Sequence, residues 1–297
     1  MSVKTVKYTF QGQVYNLTYN SGTGKYEATI TAPSKSSYSQ NGHKYGGTVA
    51  AEDNAGNITT VSEIHSTLGD KLKIRVLEKV APVIAITYPT ASAFITNANP
   101  AIAFKITDND SGVAPDTIVL TVDGKAVTAA DIIKTTITGG YNCTYTPDTA
   151  LSDGEHTITV NASDNDGNAA GAKSVTFTID TVPPSLSVTN PTEGLITNKS
   201  EIIISGTTDD ATSKPVTVTV NGEAVTVNAD GTFSKAVTLT SGGNVITVVA
   251  TDKAGKSTTV VRNVTLDTGA PQIKSITLTP NPVDAGKTFV ISVEVTD

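Results

Sequence analysis

At 297 residues the chain exceeds a single ordinary core of about 100–150 residues, so several cores must form. Its formal charge of −7, from 21 basic and 28 acidic residues, disfavours phosphate-backbone binding, and the absence of any run near 18 apolar residues argues against membrane insertion. A single cysteine, Cys143, excludes an internal disulfide framework and a cysteine-based zinc cluster, leaving packing to supply the stability. The palette is that of a β protein: 38% hydrophobic, only 5% aromatic, no Trp, with Val, Ile and Thr carrying the apolar and strand-forming content.

The chain opens on "MSVKTVKYTFQGQVYNLTY", which alternates at once and has no apolar segment of the secretory type. Within it, "YTFQGQVYNL" at 8–17 reads as two strands joined by a tight glycine turn, and "TVAAEDNAGNITTV" at 48–61 as strand, Asp-x-x-Gly turn, strand. Both elements recur. The hairpin returns as "LTVDGKAVTA" at 120–129 and "VTVNGEAVTV" at 218–227; the Asp-x-x-Gly element returns as "TVNASDNDGNAAGA" at 159–172 and "TVVATDKAGKSTTV" at 247–260. A third element, a proline followed by an extended strand, opens units at 80–90, 182–192 and 269–280.

Short strands separated by Gly, Asn, Asp and Pro turns, in units of about 90–100 residues, are the pattern of a β-sandwich. The expected organisation is an all-β elongated array of tandem immunoglobulin-like sandwiches: an N-terminal unit at 1–79 lacking the opening strands, domains at 80–181 and 182–268, and the opening strands of a further unit at 269–297. The stretches "VTVTVNGEAVTVNADGTF" and "NVITVVATDKAGKSTTVVRNVTLDT" resemble the bacterial immunoglobulin-like repeats of surface proteins, glucodextranase-like accessory domains and phage virion proteins. The resemblance covers most of the chain from about residue 80 onward. It implies the fold and a role as spacer or adhesion module, and leaves the ligand open, since unrelated proteins carry these modules.

Two classes of candidate site stand out. The Asp-x-x-Gly loops are oxygen-rich, above all the second, with Asp164 and Asp166; yet Asp166 is matched by Ala55 and Ala254, and Asn165 by Lys253, so the shared residues read as turn chemistry rather than as a calcium loop. At the junctions, Glu78, Asp180 and Asp267 each stand four residues before an aligned proline, and "DNDSG", with Asp108 and Asp110, could face such a junction in the manner of cadherin-like modules. Calcium is therefore the cofactor to consider, at Asp108, Asp110, Asp164, Asp166 and Asp180, against ordinary solvated acids. The second class is aromatic: six of nine tyrosines fall in the first 45 residues, and Tyr8, Tyr15 and Tyr19 read either as a Tyr-lined core or as a face for a partner.

No Ser-His-Asp or Cys-His spacing, HExxH motif or phosphate-cradling glycine loop occurs, and Cys143 reads as a small buried strand residue, so a non-enzymatic protein is expected. His156 follows the Ile158 side of "GEHTITV" at what reads as a strand edge. The first reading of function is a structural or adhesion protein of a phage tail or virion, assembled inside the cell and released by lysis. The alternatives are a bacterial cell-surface adhesin or S-layer fragment and an accessory stalk of a carbohydrate-active enzyme. Expected partners are other virion or surface-assembly proteins and the host cell surface. Residues 271–297 are also expected either to continue into a further unit or to complete the first unit of a neighbouring molecule by strand addition, a head-to-tail self-association.

Overall fold

The computed structural model describes residues 2–297 and is built almost wholly of strands. It divides into two compact units: residues 2–93 with 97–178, and Phe94–Thr96 with Ile179–Asp297.

Unit 1 begins with a five-stranded sheet of β1 (Val3–Phe10), β2 (Gln13–Asn20), β3 (Lys25–Glu27), β4 (Gly47–Asp53) and β5 (Ile58–Ser62), in the order β3-β2-β1-β4-β5. Phe10, Tyr45 and Val76 are buried beneath it, with Tyr8, Tyr15 and Ile30 packed against them. The strands of this unit that follow are β6 (Val83–Tyr88), β8 (Ile102–Thr107), β9 (Val119–Val122), β10 (Lys125–Ala126), β11 (Ile133–Ile137), β12 (Gly140–Tyr145), β13 (Gly154–Asn161) and β14 (Lys173–Ile179), while the short β7 (Phe94–Ile95) falls to unit 2. One sheet runs β11-β12-β8-β6 and another contains the order β10-β9-β13-β14. Their inward residues are fully or almost fully buried: Ile102, Phe104, Ile106 and Cys143 from the first, Leu120, Ile158, Val160 and Phe177 from the second. The period-2 alternation read from "GEHTITV" is realised as His156, Ile158 and Val160 turned inward.

Unit 2 holds β15 (Ser185–Asn190), β16 (Leu195–Thr197), β17 (Glu201–Asp209), β18 (Thr217–Val220), β19 (Glu223–Val225), β20 (Thr232–Thr238), β21 (Gly242–Thr251) and β22 (Ser257–Leu266). Sheets β15-β17-β20 and β16-β22-β21-β18-β19 close on one core, in which Ile202, Ile204 and Phe233 of the first meet Val218, Val220, Ile246, Val248 and Val264 of the second. A separate hairpin of β23 (Gln272–Thr279) and β24 (Val290–Thr296) follows.

The three sequence repeats occupy one topology. The order β2-β1-β4-β5 matches β10-β9-β13-β14 and β19-β18-β21-β22 strand for strand. The hairpins joining the first pair of each set turn through Gln11-Gly12, Asp123-Gly124 and Asn221-Gly222, and both residues of each turn have positive φ. That is the two-residue turn whose twist suits paired strands, and it calls for glycine at its second position. The chain is thus all-β, a tandem of immunoglobulin-like sandwiches, and residues 3–62 form a single sheet.

Candidate functional site

Buried acids collect in two places. In unit 1, Glu78, Asp108 and Asp164 each bring an oxygen within 4.8 Å of the others; in unit 2, Asp180, Asp210 and Asp252 do the same. All six residues are buried. Two carboxylates about 5 Å apart repel by roughly 3 kcal/mol at an effective dielectric near 20, so each group needs protons, donors or a cation. The two groups meet that need differently.

In the first, Asp108 follows β8 and its Oδ1 accepts the N–H of Asp110 at 3.0 Å and of Gly112 at 2.8 Å. Asp164 follows β13; Oδ1 accepts the N–H of Asp166 and Asn168, and Oδ2 accepts the Asn168 amide at 2.6 Å. Glu78 accepts the Ser111 hydroxyl at 2.9 Å and the Val80 N–H at 3.0 Å. Burial lifts the Glu78 carboxyl above its ordinary value, and the Asp108 charge and the bond to Asp164 add to this. Burial also pushes Asp164 upward, but the Asn168 donors and Glu78 outweigh it and hold that carboxyl below its ordinary value. The first group is thus closed by donors of its own loops, the Asn168 amide and the Ser111 hydroxyl among them.

Asp110 and Asp166, grouped with these acids in the sequence, serve as anchors for the chain leaving the first sheet. Asp110 accepts the Ser36 N–H at 3.1 Å; Asp166 Oδ2 accepts the Ser36 hydroxyl at 2.6 Å and the Glu78 N–H at 3.1 Å, with the Arg75 guanidinium 3.6 Å from Oδ1.

In the second group Asp180 Oδ1 accepts the Val182 N–H at 3.2 Å and Oδ2 the Ser213 hydroxyl. Asp210, after β17, accepts the N–H of Thr212 at 2.8 Å and of Ser213 at 2.6 Å on one oxygen. Asp252 Oδ1 accepts the Lys256 N–H at 2.9 Å, and Asp252 Oδ2 is the buried side-chain atom without a hydrogen-bond partner among the described residues. The cause is one residue. Asn57 and Asn168 close the second oxygen of Asp53 and Asp164 with their amides, at 2.9 and 2.6 Å, and Lys256 stands in their place.

Sequence reasoning set an ammonium at Lys253 against an ion in this loop. The structure corrects that premise: Lys253 Nζ lies over the Phe94 ring, 5.6 Å from its centroid. Asp210, not singled out in the sequence, occupies the place after β17 that Asp108 holds after β8, and "TDDATS" at 208–213 beside "ITDNDS" at 106–111 is the signal that would have found it. Asp267, the third junction acid, lies outside both groups; its Oδ1 accepts the Gly269 N–H at 2.9 Å.

With the fold and these loops in place, residues 90–181 match the family described as Bacterial Ig-like domain, and residues 184–268 the family described as Glucodextranase, domain B. These two segments belong to the bacterial immunoglobulin-like repeats. Among curated relatives, Bacillopeptidase F of Bacillus subtilis is 36% identical over 83 residues, 28% of this chain and 6% of that protein. Chitinase ChiA of Flavobacterium johnsoniae is 28% identical over 162 residues, 50% of this chain and 10% of that protein. The chain thus spans a small fraction of these relatives. Solved structures include a tetra-tandem repeat from the extending region of a large adhesion protein (20% identity, 98% of this chain and 79% of that chain, TM-score 0.33). Three immunoglobulin domains of titin also match (12% identity, 89% and 88%, TM-score 0.42).

The remaining candidates fall within the immunoglobulin-like modules or the first sheet. Cys143 of β12 is 1% exposed, and burial pushes its thiol up to about 11, so it is not a thiolate. Tyr8 and Tyr15 line the core of the first sheet, whereas Tyr19 is 56% exposed and tilts against Tyr26, ring centroids 5.3 Å apart.

His156 is buried rather than at an edge: its ring nitrogens contact Asp123 Oδ2 and the Ser152 carbonyl, each at 2.7 Å. Both partners are acceptors, so the imidazolium, with two N–H groups, is the form that fits. Burial pulls its pKa down, but the Ser152 and Asp123 hydrogen bonds prevail and hold it above the ordinary value. A raised histidine stabilises fully below the unfolded value near 6.5 and loses that contribution as pH climbs through the folded value. Asp123 also feels burial pushing upward, yet His156 and the Thr157 N–H hold its pKa down, so its share is lost as pH falls. The pair therefore contributes most between about pH 4 and 6.5. Replacing His156 with Leu is expected to lower stability at pH 5.5 by about 1–3 kcal/mol and to flatten the decline toward pH 8.5, read from urea unfolding at both values.

Proposed function

We propose that this chain is a non-enzymatic structural and adhesion protein whose immunoglobulin-like modules space or present other parts of an extracellular assembly. The observation that carries the reading is the pairing of the family match with its distribution. The relatives are named for two different chemistries, a peptidase and a chitinase, and the likeness takes in only 6% and 10% of them. Stretches carried by proteins of unrelated activity are suited to a task that depends on neither. The inward faces of both matched segments are filled by side chains of their own sheets, as modules that fold in series require.

A phage tail or virion is the first carrier to test and a bacterial cell surface the second; an accessory role beside a carbohydrate-active domain is supported by the chitinase likeness. Mass spectrometry of density-purified particles against washed cell envelopes from the source culture separates them. Recovery in particles supports the virion, recovery in envelopes a surface protein, and recovery in neither, with the chain in the cytosol, would sink the extracellular reading.

A further inference from the structure

We propose that Asp180, Asp210 and Asp252 form a calcium site. The three carboxylates come from the segment after β14, the loop after β17 and the β21–β22 turn, and their oxygens converge within 4.8 Å in a buried setting. Convergence alone would be only a cluster of acids. What points to a ligand is Asp252 Oδ2, an oxygen of a residue 94% buried that meets no donor. Leaving a charged buried oxygen unpaired is costly, and the cost falls when a cation fills the place.

Among the described residues no cation pairs with it. Lys253, in the same turn, lies over Phe94, and Lys214, in the Asp210 loop, pairs with Asp209 at 2.7 Å. The donor set is oxygen only, which selects a hard cation over zinc or copper. Asp180 and Asp210 already orient an oxygen with hydrogen bonds from Val182, Thr212 and Ser213, as outer partners of a metal ligand do. Three carboxylates on separate loops suit the irregular coordination calcium accepts, with backbone carbonyls and water completing six to eight oxygens, better than the strict octahedron of magnesium.

The acids of unit 1 supply the internal comparison. There the Asn168 amide takes the second oxygen of Asp164, and among the described residues no buried side-chain oxygen of that group lacks a hydrogen-bond partner. One ion per chain follows, not two. It would fasten the segment at Asp180 to two loops of the sandwich of residues 185–266. The inference does not depend on whether a particle or a cell carries the chain.

The test is calorimetric titration of calcium into the chelator-treated full chain, with thermal melts in calcium and in EDTA. One site per chain is expected, with Kd of about 10⁻⁴–10⁻³ M as in extracellular modules. The melt of this sandwich should rise by at least about 5 °C at calcium near 100 times Kd. Asp252→Asn should abolish the heat and the rise, yet melt in EDTA no lower than the parent, because one repelling carboxylate has gone. Asp210→Asn should do the same and serves if the first variant misfolds, while Glu78→Gln should leave the stoichiometry at one. Absence of heat and of any shift at about 10 mM calcium, above that range, overturns the site. So does binding that survives both aspartate variants or is lost in Glu78→Gln.

Discussion

Truncating Phe233 to Ala is expected to cost the sandwich of residues 185–266 about 3–5 kcal/mol, enough to leave much of it unfolded at 37 °C. The magnitude follows from how little aromatic material this module has. Between Val182 and Thr268 the sequence contains no Trp or Tyr, and Phe233 is its single aromatic residue. The ring is 2% exposed and belongs to the cluster built from both sheets, where its neighbours are Val, Ile, Leu and Ala. Short β-branched side chains held on a pleated sheet cannot swing far enough to fill the volume of a lost ring, so a cavity remains. Urea unfolding followed through the amide signals of β17 and β21 reads the loss; a change below about 1 kcal/mol would mean that the two sheets collapse onto the gap. For a spacer module this is also a functional result, since presentation depends on the module staying folded.

The same sparse chemistry explains what was legible in the sequence. The paired turns at Gly12, Gly124 and Gly222 and the Asp-x-x-Gly turns are local: Asp53, Asp164 and Asp252 each accept backbone N–H groups from residues inside their own turn, and the intervening glycines take positive φ. Three such elements in fixed order were sufficient to specify one sheet three times. The acids were different. Asp164, Asp166 and Asp252 share a sequence position or its neighbourhood, but their partners, Glu78, Ser36 and Arg75 in one unit and Asp180 and Asp210 in the other, arrive from distant segments.

Lys253 shows the limit of inspecting one loop. Its ammonium lies over the ring of Phe94, and nothing within the turn predicts that. His156 was misplaced for a related reason. The alternation gave the correct face, but Asn244, its counterpart in the third repeat, satisfies itself with Thr240 and Gly242, whereas His156 depends on Asp123 and Ser152. Local patterns fixed turns and strand faces; side-chain partners required the closed sandwich.

Gly206→Val is expected to be at least as damaging to local order as its size is modest, with a loss of about 3 kcal/mol or more. Gly206 lies buried in β17, the central strand of its sheet, opposite Val188 on one side and Phe233 on the other. A Cβ there would stand 2.1 Å from the Ser187 carbonyl oxygen and 2.8 Å from the Phe233 ring. The ring can rotate or be shortened; the carbonyl belongs to the backbone of β15 and can yield only if the strand pair separates. The consequence is specific. Combining Gly206→Val with Phe233→Leu should not restore stability, because it removes the softer of the two obstructions. Thr207→Val, one residue on and exposed, should change stability by no more than about 0.5 kcal/mol. Urea midpoints of the three variants decide the matter: rescue by Phe233→Leu would show that the ring, not the β15 backbone, is what excludes a side chain from position 206.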